Sequence, residues 1–219
     1  MNSSTTLSRR SFLIGSAGLA GLSLAGCATT AQQPIEPTIS DYYMQMYGPR
    51  PDEQFPVPAV DLRAMNPNYW RTVVPDPTGE RPGTIVVNTA QRYLYLVGDD
   101  GTAMRYGVGI GREGFAWSGR AEIAAKKKWP TWTPPAEMIA RQPEIEPYRN
   151  GMPPSLENPL GARAMYIYQD GRDTLYRLHG TSDPRSIGMA VSSGCVRLIN
   201  QDVIDLYQRV PTGTPVVVV

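Results

Sequence analysis

The chain has 219 residues, 41% of them hydrophobic and 19% charged, which fits one globular domain with attachments and leaves enough apolar material for a core. Lysine and arginine total 21 against 20 acidic residues, and a formal charge of +1 gives no basic field that would draw nucleic acid. One histidine and two cysteines do not make a zinc cluster, which needs three or four ligands at suitable spacing, so no metal site is expected.

The first segment reads as an address. "SRRSFLIGSAGLAGLSLAGC" sets Arg9 and Arg10 before an uncharged run of small apolar residues and resembles a twin-arginine export signal. The stretch from Phe12 to Ala25 is too short and too rich in Gly and Ala to span a bilayer, which takes about 20 predominantly apolar residues. It ends in "LAGC", which resembles the lipobox of bacterial lipoproteins, with Cys27 as the acylated first residue of the mature chain. The alternative is cleavage at Ala28 or Ala31, which leaves a soluble periplasmic protein. A disulfide between Cys27 and Cys195 is the other use of two cysteines in an oxidising compartment, and the place of Cys27 in the address argues against it.

From Gln32 to Pro82 prolines recur, at Pro34, Pro37, Pro49, Pro51, Pro56, Pro58, Pro67, Pro75 and Pro77, each removing a backbone donor, so regular helix or central strand is not expected there. The part nearest Cys27 reads as a tether. "DYYMQMY" and "NPNYW" carry too many aromatics for a disordered linker and are expected to lie in surface grooves. The organisation is thus a signal segment over residues 1–27, a proline-rich tether and extension over 28–82, and a catalytic domain over 83–219.

After Gly83 the texture becomes β-rich. "TIVVN" and "RYLYLV" read as strands, "GDDG" at Gly98–Gly101 as a turn, and "AMRYGVGIG", "AMYIY", "LYRLHG" and "TPVVVV" as further strands. A short helix is expected around "AEMIARQ". Near the end, Val203, Leu206, Tyr207 and Val210 follow the spacing of a buried helical stripe, with Asn200 as its cap and Pro211 and Gly213 ending it.

No phosphate loop is present, and "GVGIGREG" leaves a strand for a loop instead of opening a helix, so a nucleotide cofactor is not indicated. The lone histidine, His179, and Cys195 remain as a base and a nucleophile. A thiol of pKa about 8.5 is only a few per cent thiolate at neutral pH, and an imidazole beside it makes it a competent nucleophile. Gly194 before Cys195 allows a tight turn whose N–H groups converge beside the sulfur, as an oxyanion hole requires. Arg197 adds a cation for a substrate carboxylate or for the loop itself. On composition alone, a Cys between Gly and Val is more often a small buried apolar residue, and a lone strand-end His or loop Arg is often structural.

Together, "HGTSDPRSIGMAVSSGCVRLIN", "QDVIDLY" and "VPTGTPVVVV" resemble the signature of the L,D-transpeptidase catalytic-domain family of bacterial cell-wall enzymes. The matching positions are His179, Gly180, Thr181, Ile187, Gly188, Ser192, Gly194, Cys195, Arg197, Asn200 and Asp202. Two departures stand out: Ser193 sits where some members carry a second His, and "FAWSGRAEI" with "KKKWPTWTPPAEM" suggests a modified loop beside the site.

The resemblance implies a mainly β fold, a sandwich with a capping helix, and acyl transfer on peptidoglycan stem peptides without a cofactor. Cys195 would be the nucleophile and His179 the proton donor and acceptor, oriented by the backbone of Gly180. Gly194 and Ser193 would lie at the oxyanion and substrate site, with Arg197 holding substrate. The acceptor would be a stem amine or the lysine of a wall-anchored lipoprotein, and carbapenems would acylate the cysteine. Two alternatives stay open: an L,D-carboxypeptidase with the same residues, and a non-catalytic peptidoglycan-binding lipoprotein.

Overall fold

The computed structural model describes residues 39–111, 117–192 and 194–219. The chain divides into two units, Met1–Pro37 and Thr38–Val219, and the first, with the signal, the lipobox and Cys27, lies outside the described residues.

The second unit is mainly β. Its strands are β1 (Thr72–Pro75), β2 (Ile85–Asn88), β3 (Tyr93–Val97), β4 (Thr102–Gly107), β5 (Ile110–Gly111), β6 (Gly119–Lys128), β7 (Arg163–Gln169), β8 (Arg172–Thr181), β9 (Ala190–Ser192), β10 (Val196–Ile199) and β11 (Pro215–Val218). Nine form one sheet in the order β1-β4-β3-β2-β11-β6-β7-β8-β10, and β5 pairs with β9 in a separate ladder. The mainly β class is as read from the sequence, and its packed faces belong to one continuous hydrogen-bonded sheet and this small ladder. The meander β2-β3-β4 is antiparallel, whereas β11 against β2 and β10 against β8 are parallel.

Strand β6 runs through "GRAEIAAKKK", which the sequence reading placed in a modified loop. Its apolar signal is faint because only Ile123 is fully buried along it. Pairing with β11 on one side and β7 on the other makes it a central strand, so cross-strand hydrogen bonds outweigh weak propensity.

Three helices are described: α1 (Asp41–Met46), α2 (Ala136–Arg141) and α3 (Asn200–Arg209). Val203, Leu206 and Val210 of the expected stripe are buried in the main core with Ile85, Ile123 and Leu178. The expected cap is corrected. Asn200 is the first helical residue, Ile199 holds the cap position, and no side chain caps the helix. Asn200 Oδ1 instead accepts from the Ala162 N–H at 3.0 Å and its amide donates to Ser182 Oγ at 3.0 Å, because the chain enters α3 directly from β10 and the asparagine is already buried. At the other end, Lys126 Nζ donates to Tyr207 O at 2.7 Å and also to Val210 O, placing a cation where the helix dipole favours one.

The proline-rich stretch holds more regular structure than its prolines suggest. Besides α1, it forms 3-10 turns at Leu62–Ala64 and Pro67–Tyr69, and then β1. Pro75 ends β1 at the edge of the sheet, where a missing N–H costs no ladder bond. Asp61 and Asn66 each accept a backbone N–H two residues on, which starts the two turns.

Candidate active site

His179 lies near the end of β8 and is 4% exposed. Its Nδ1 is 2.9 Å from Gly180 O, and because a carbonyl only accepts, Nδ1 carries the proton and Nε2 is left as the acceptor. Burial lowers its pKa to about 4, the nearby Arg197 cation pushes the same way, and the Gly180 hydrogen bond opposes them. The imidazole is therefore neutral at neutral pH and able to take a proton.

Parallel pairing of β10 with β8 sets Arg197 opposite His179 and Val196 opposite Leu178. Side chains alternate along a strand, so Arg197 and His179 share one sheet face, with Arg177 two residues before His179 in β8; Cys195 precedes Arg197 by two residues, just outside β10. Cys195, half-buried, sits in the bend between β9 and β10. Burial pushes its thiol pKa up; a hydrogen bond from the Arg177 backbone and the charges of Arg177 and Arg197 oppose this, and Asp173 reinforces it. Gly194, also half-buried, has φ of +124°, a conformation a side chain would strain. Ser193 lies outside the described residues, as does Cys27.

Sequence reasoning missed Arg177 and Asp173 beside the thiol and Tyr176 beside Gly194. Arg177 forms a two-pronged ion pair with Asp173, at 2.6 and 2.7 Å, and its guanidinium lies 4.5 Å from the centre of the Tyr166 ring. Tyr176 stacks beside Trp117 at 6.0 Å and stands nearest to the space a side chain on Gly194 would enter. "LYRLHG" was legible as a strand, but Leu175 has φ of +64° and breaks the alternation, so no simple strand register predicts which side chains reach the sulfur. A groove of about 520 Å³ begins just past His179, lined by Asp61, Leu156, Asn158, Thr181, Ser182 and Arg185, and neither Cys195 nor His179 lines it. Among the described residues no cluster of His, Cys, Asp or Glu could hold a metal ion.

A neutral buried imidazole with Nε2 as acceptor, paired in register with Arg197, and a thiol two residues before that arginine, close to Arg177 as well, can support attack by sulfur on a carbonyl. The sequence from 82 to 218 matches the model of the L,D-transpeptidase catalytic domain, the YkuD family. The chain belongs to that family. It is 39% identical over 150 residues to "Probable L,D-transpeptidase YbiS" of Escherichia coli, covering 66% of this chain and 46% of that protein. A "Putative L,D-transpeptidase in ATP synthase subunits region ORF 5" of Fuscovulum blasticum is 41% identical over 101 residues, covering 46% of this chain and 49% of that protein. The chain thus spans about half the length of the curated relatives it matches.

A solved Brucella melitensis protein described as a probable carnitine operon oxidoreductase is 46% identical with a TM-score of 0.50, covering 73% of this chain and 99% of that one. In the present L,D-transpeptidase domain the glycine-rich run Gly107–Gly111 joins strand β4 to strand β5, whereas a dinucleotide-binding turn joins a strand to a helix.

Proposed function

We propose that this protein is a peptidoglycan L,D-transpeptidase in which Cys195 is the nucleophile and His179 the base. The observation that carries this reading is the orientation of His179: Nδ1 is tied to Gly180 O, and the ring is kept neutral opposite Arg197, two residues after Cys195. With the thiol raised and the imidazole lowered, the resting pair is neutral, and the proton moves as the bond forms.

Cys195 Sγ attacks the carbonyl of the third residue of a tetrapeptide stem, meso-diaminopimelate by family resemblance, and its proton passes to Nε2 of His179. The N–H groups of Gly194 and Cys195, with Ser193 beside them, receive the oxyanion, each such donor being worth about 3 kcal/mol of transition-state stabilisation. His179 then returns the proton to the departing D-alanine amine, leaving a thioester. The side-chain amine of a second stem attacks the thioester, loses its proton to His179 and restores the thiol. The amide energy of the donor is retained in the thioester, so no nucleotide is consumed. Arg197 holds the substrate or the loop. A lysine of a wall-anchored lipoprotein would react in the same way as the stem amine.

The same reading places the protein in the cell envelope, exported by the twin-arginine signal and held through acylated Cys27, with residues 28–82 as tether and extension and 83–219 as catalytic domain. Several acyl chains would anchor it stably, since each buried CH₂ contributes about 0.8 kcal/mol and a single chain is marginal. Cys27→Ala should release the protein from membranes, and unchanged partitioning would remove the anchor from the proposal.

The test is incubation with purified disaccharide-tetrapeptides and mass spectrometry of the products. Loss of D-alanine with a cross-linked dimer supports transpeptidation, and free tripeptide alone makes the protein a carboxypeptidase. Cys195→Ala should abolish both products and the carbapenem adduct with folding intact, and His179→Ala should nearly do so. Product formation by Cys195→Ala at the wild-type rate would refute the mechanism.

A further inference from the structure

The extension from Ile39 to Arg71 is built into the domain at the segment that bears Cys195. Tyr47, Leu62 and Met65 form one buried cluster with Ile187 and Ile199, which flank Cys195 on both sides in the chain. The Gln201 amide donates to the carbonyls of Tyr47, Gly48 and Pro58 at 3.4, 3.2 and 2.8 Å, tying the start of α3 to the extension. Tyr47 OH donates to Asp202 Oδ2 at 3.1 Å and accepts from the Arg71 N–H at 2.6 Å. Arg71 Nη1 lies 2.7 Å from Asp205 Oδ2, so two acidic residues of α3 bind the end of the extension.

Tyr69 packs directly on the nucleophile segment. A side chain on Gly188 would run into the Tyr69 ring, and one on Gly107 would strike the Tyr69 backbone. Gly188 has φ of +79°, and its N–H donates to Val108 O at 3.0 Å. The next residues hold the same register: the Ile110 N–H donates to Met189 O at 2.9 Å, Ile110 pairs with Ala190, and Gly109 exchanges backbone hydrogen bonds with Arg197 at 2.8 and 2.9 Å. The Tyr69 ring therefore sits under the turn from which the chain runs through β9 to Cys195, and the β4-β5 segment that pairs with that chain rests on Tyr69 as well.

We propose that Ile39–Arg71 is an intramolecular strap that sets the position of Cys195, with Tyr69, wedged against Gly188 and Gly107, as its principal positioning residue. The proposal rests on Cys195 being the nucleophile. Attack on a carbonyl needs the sulfur within a narrow range of position relative to base and oxyanion donors, and a misplacement of about 1 Å can cost a hundredfold in rate. Simple alkylation by a small electrophile needs only access and ionisation.

That difference supplies the experiment. In the full chain, acylation of Cys195 by a carbapenem is followed by mass spectrometry beside its alkylation by iodoacetamide. Tyr69→Ala should slow acylation by about ten- to a hundredfold while iodoacetamide reacts at the wild-type rate or faster. Tyr69→Phe, which keeps the ring, should restore acylation, and Met44→Ala, half-exposed on α1, should leave both rates unchanged. If Tyr69→Ala does not fold, Tyr69→Leu, which keeps apolar bulk without the flat ring, should show the same split between the two reagents. Wild-type acylation in Tyr69→Ala or Tyr69→Leu, or equal slowing of both reagents, would overturn the positioning role. Failure of the wild-type protein to acylate, while iodoacetamide still alkylates it at Cys195, would instead overturn Cys195 as nucleophile.

Discussion

The charges around Cys195 decide how its sulfur reacts. Arg177 and Arg197 favour the thiolate, but Asp173 holds the Arg177 guanidinium in a two-pronged ion pair and cancels part of its field. Asp173→Asn should therefore lower the thiol pKa and speed alkylation below about pH 8, near the unperturbed cysteine value. A bromobimane rate profile against pH checks this, and an unshifted or upward-shifted profile would show that Arg177 does not act on the sulfur. The lowered His179 pKa and raised thiol pKa together predict an alkylation rate that climbs along a single basic limb. A rate plateau between pH 5 and 7 would instead require a preformed thiolate and imidazolium, contrary to the burial of His179.

At the scale of elements, β8 carries His179 and Arg177, β10 carries Arg197, and their parallel register brings these side chains to one face. Helix α3 follows β10 without a loop, and its first turn buries Asn200, Gln201 and Asp202, each used to bind another part of the chain. Tyr47→Phe removes the hydroxyl that serves Asp202 and the Arg71 N–H, leaving buried polar groups without a partner at a cost of about 1–3 kcal/mol each. A melting temperature lower by several degrees is expected, at roughly 2–4 °C per kcal/mol for a domain of this size. No loss in calorimetry would mean that water replaces the hydroxyl.

Over the whole molecule, two buried groups give opposite pH dependences. Burial raises Asp202 to about 7, against the pull of Arg71 and Tyr47, and its Oδ1 lacks a hydrogen-bond partner among the described residues. Since its unfolded pKa is near ~3.9, its contribution is fully present below that pH and is lost as pH rises through about 7. His179 is lowered to about 4 from an unfolded value near ~6.5, so its contribution is present above the unfolded value and lost as pH falls toward 4. Between those limits the two offset each other. Asp202→Asn should expose the His179 slope, a loss on the order of 3 kcal/mol between about pH 6.5 and 4, readable in urea melts. An Asp202→Asn profile that follows the wild type across that window would show that Asp202 is ionised throughout.

The spacing from His179 to Asn200, the β-rich runs after Gly83 and the stripe along α3 determined the family, the mainly β class and the residues worth testing, because these signals are local: a motif, a period of two, a period near 3.6. The tertiary structure alone decided that "GRAEIAAKKK" is a central strand, that Asn200 binds Ala162 and Ser182 instead of capping α3, and that Arg177 and Asp173 adjoin the sulfur. It also decided that a proline-rich stretch with no periodicity folds onto the segment bearing Cys195. Each of these depends on partners distant in sequence: Tyr47 and Asp202 are 155 residues apart, and nothing in either local sequence announces the other.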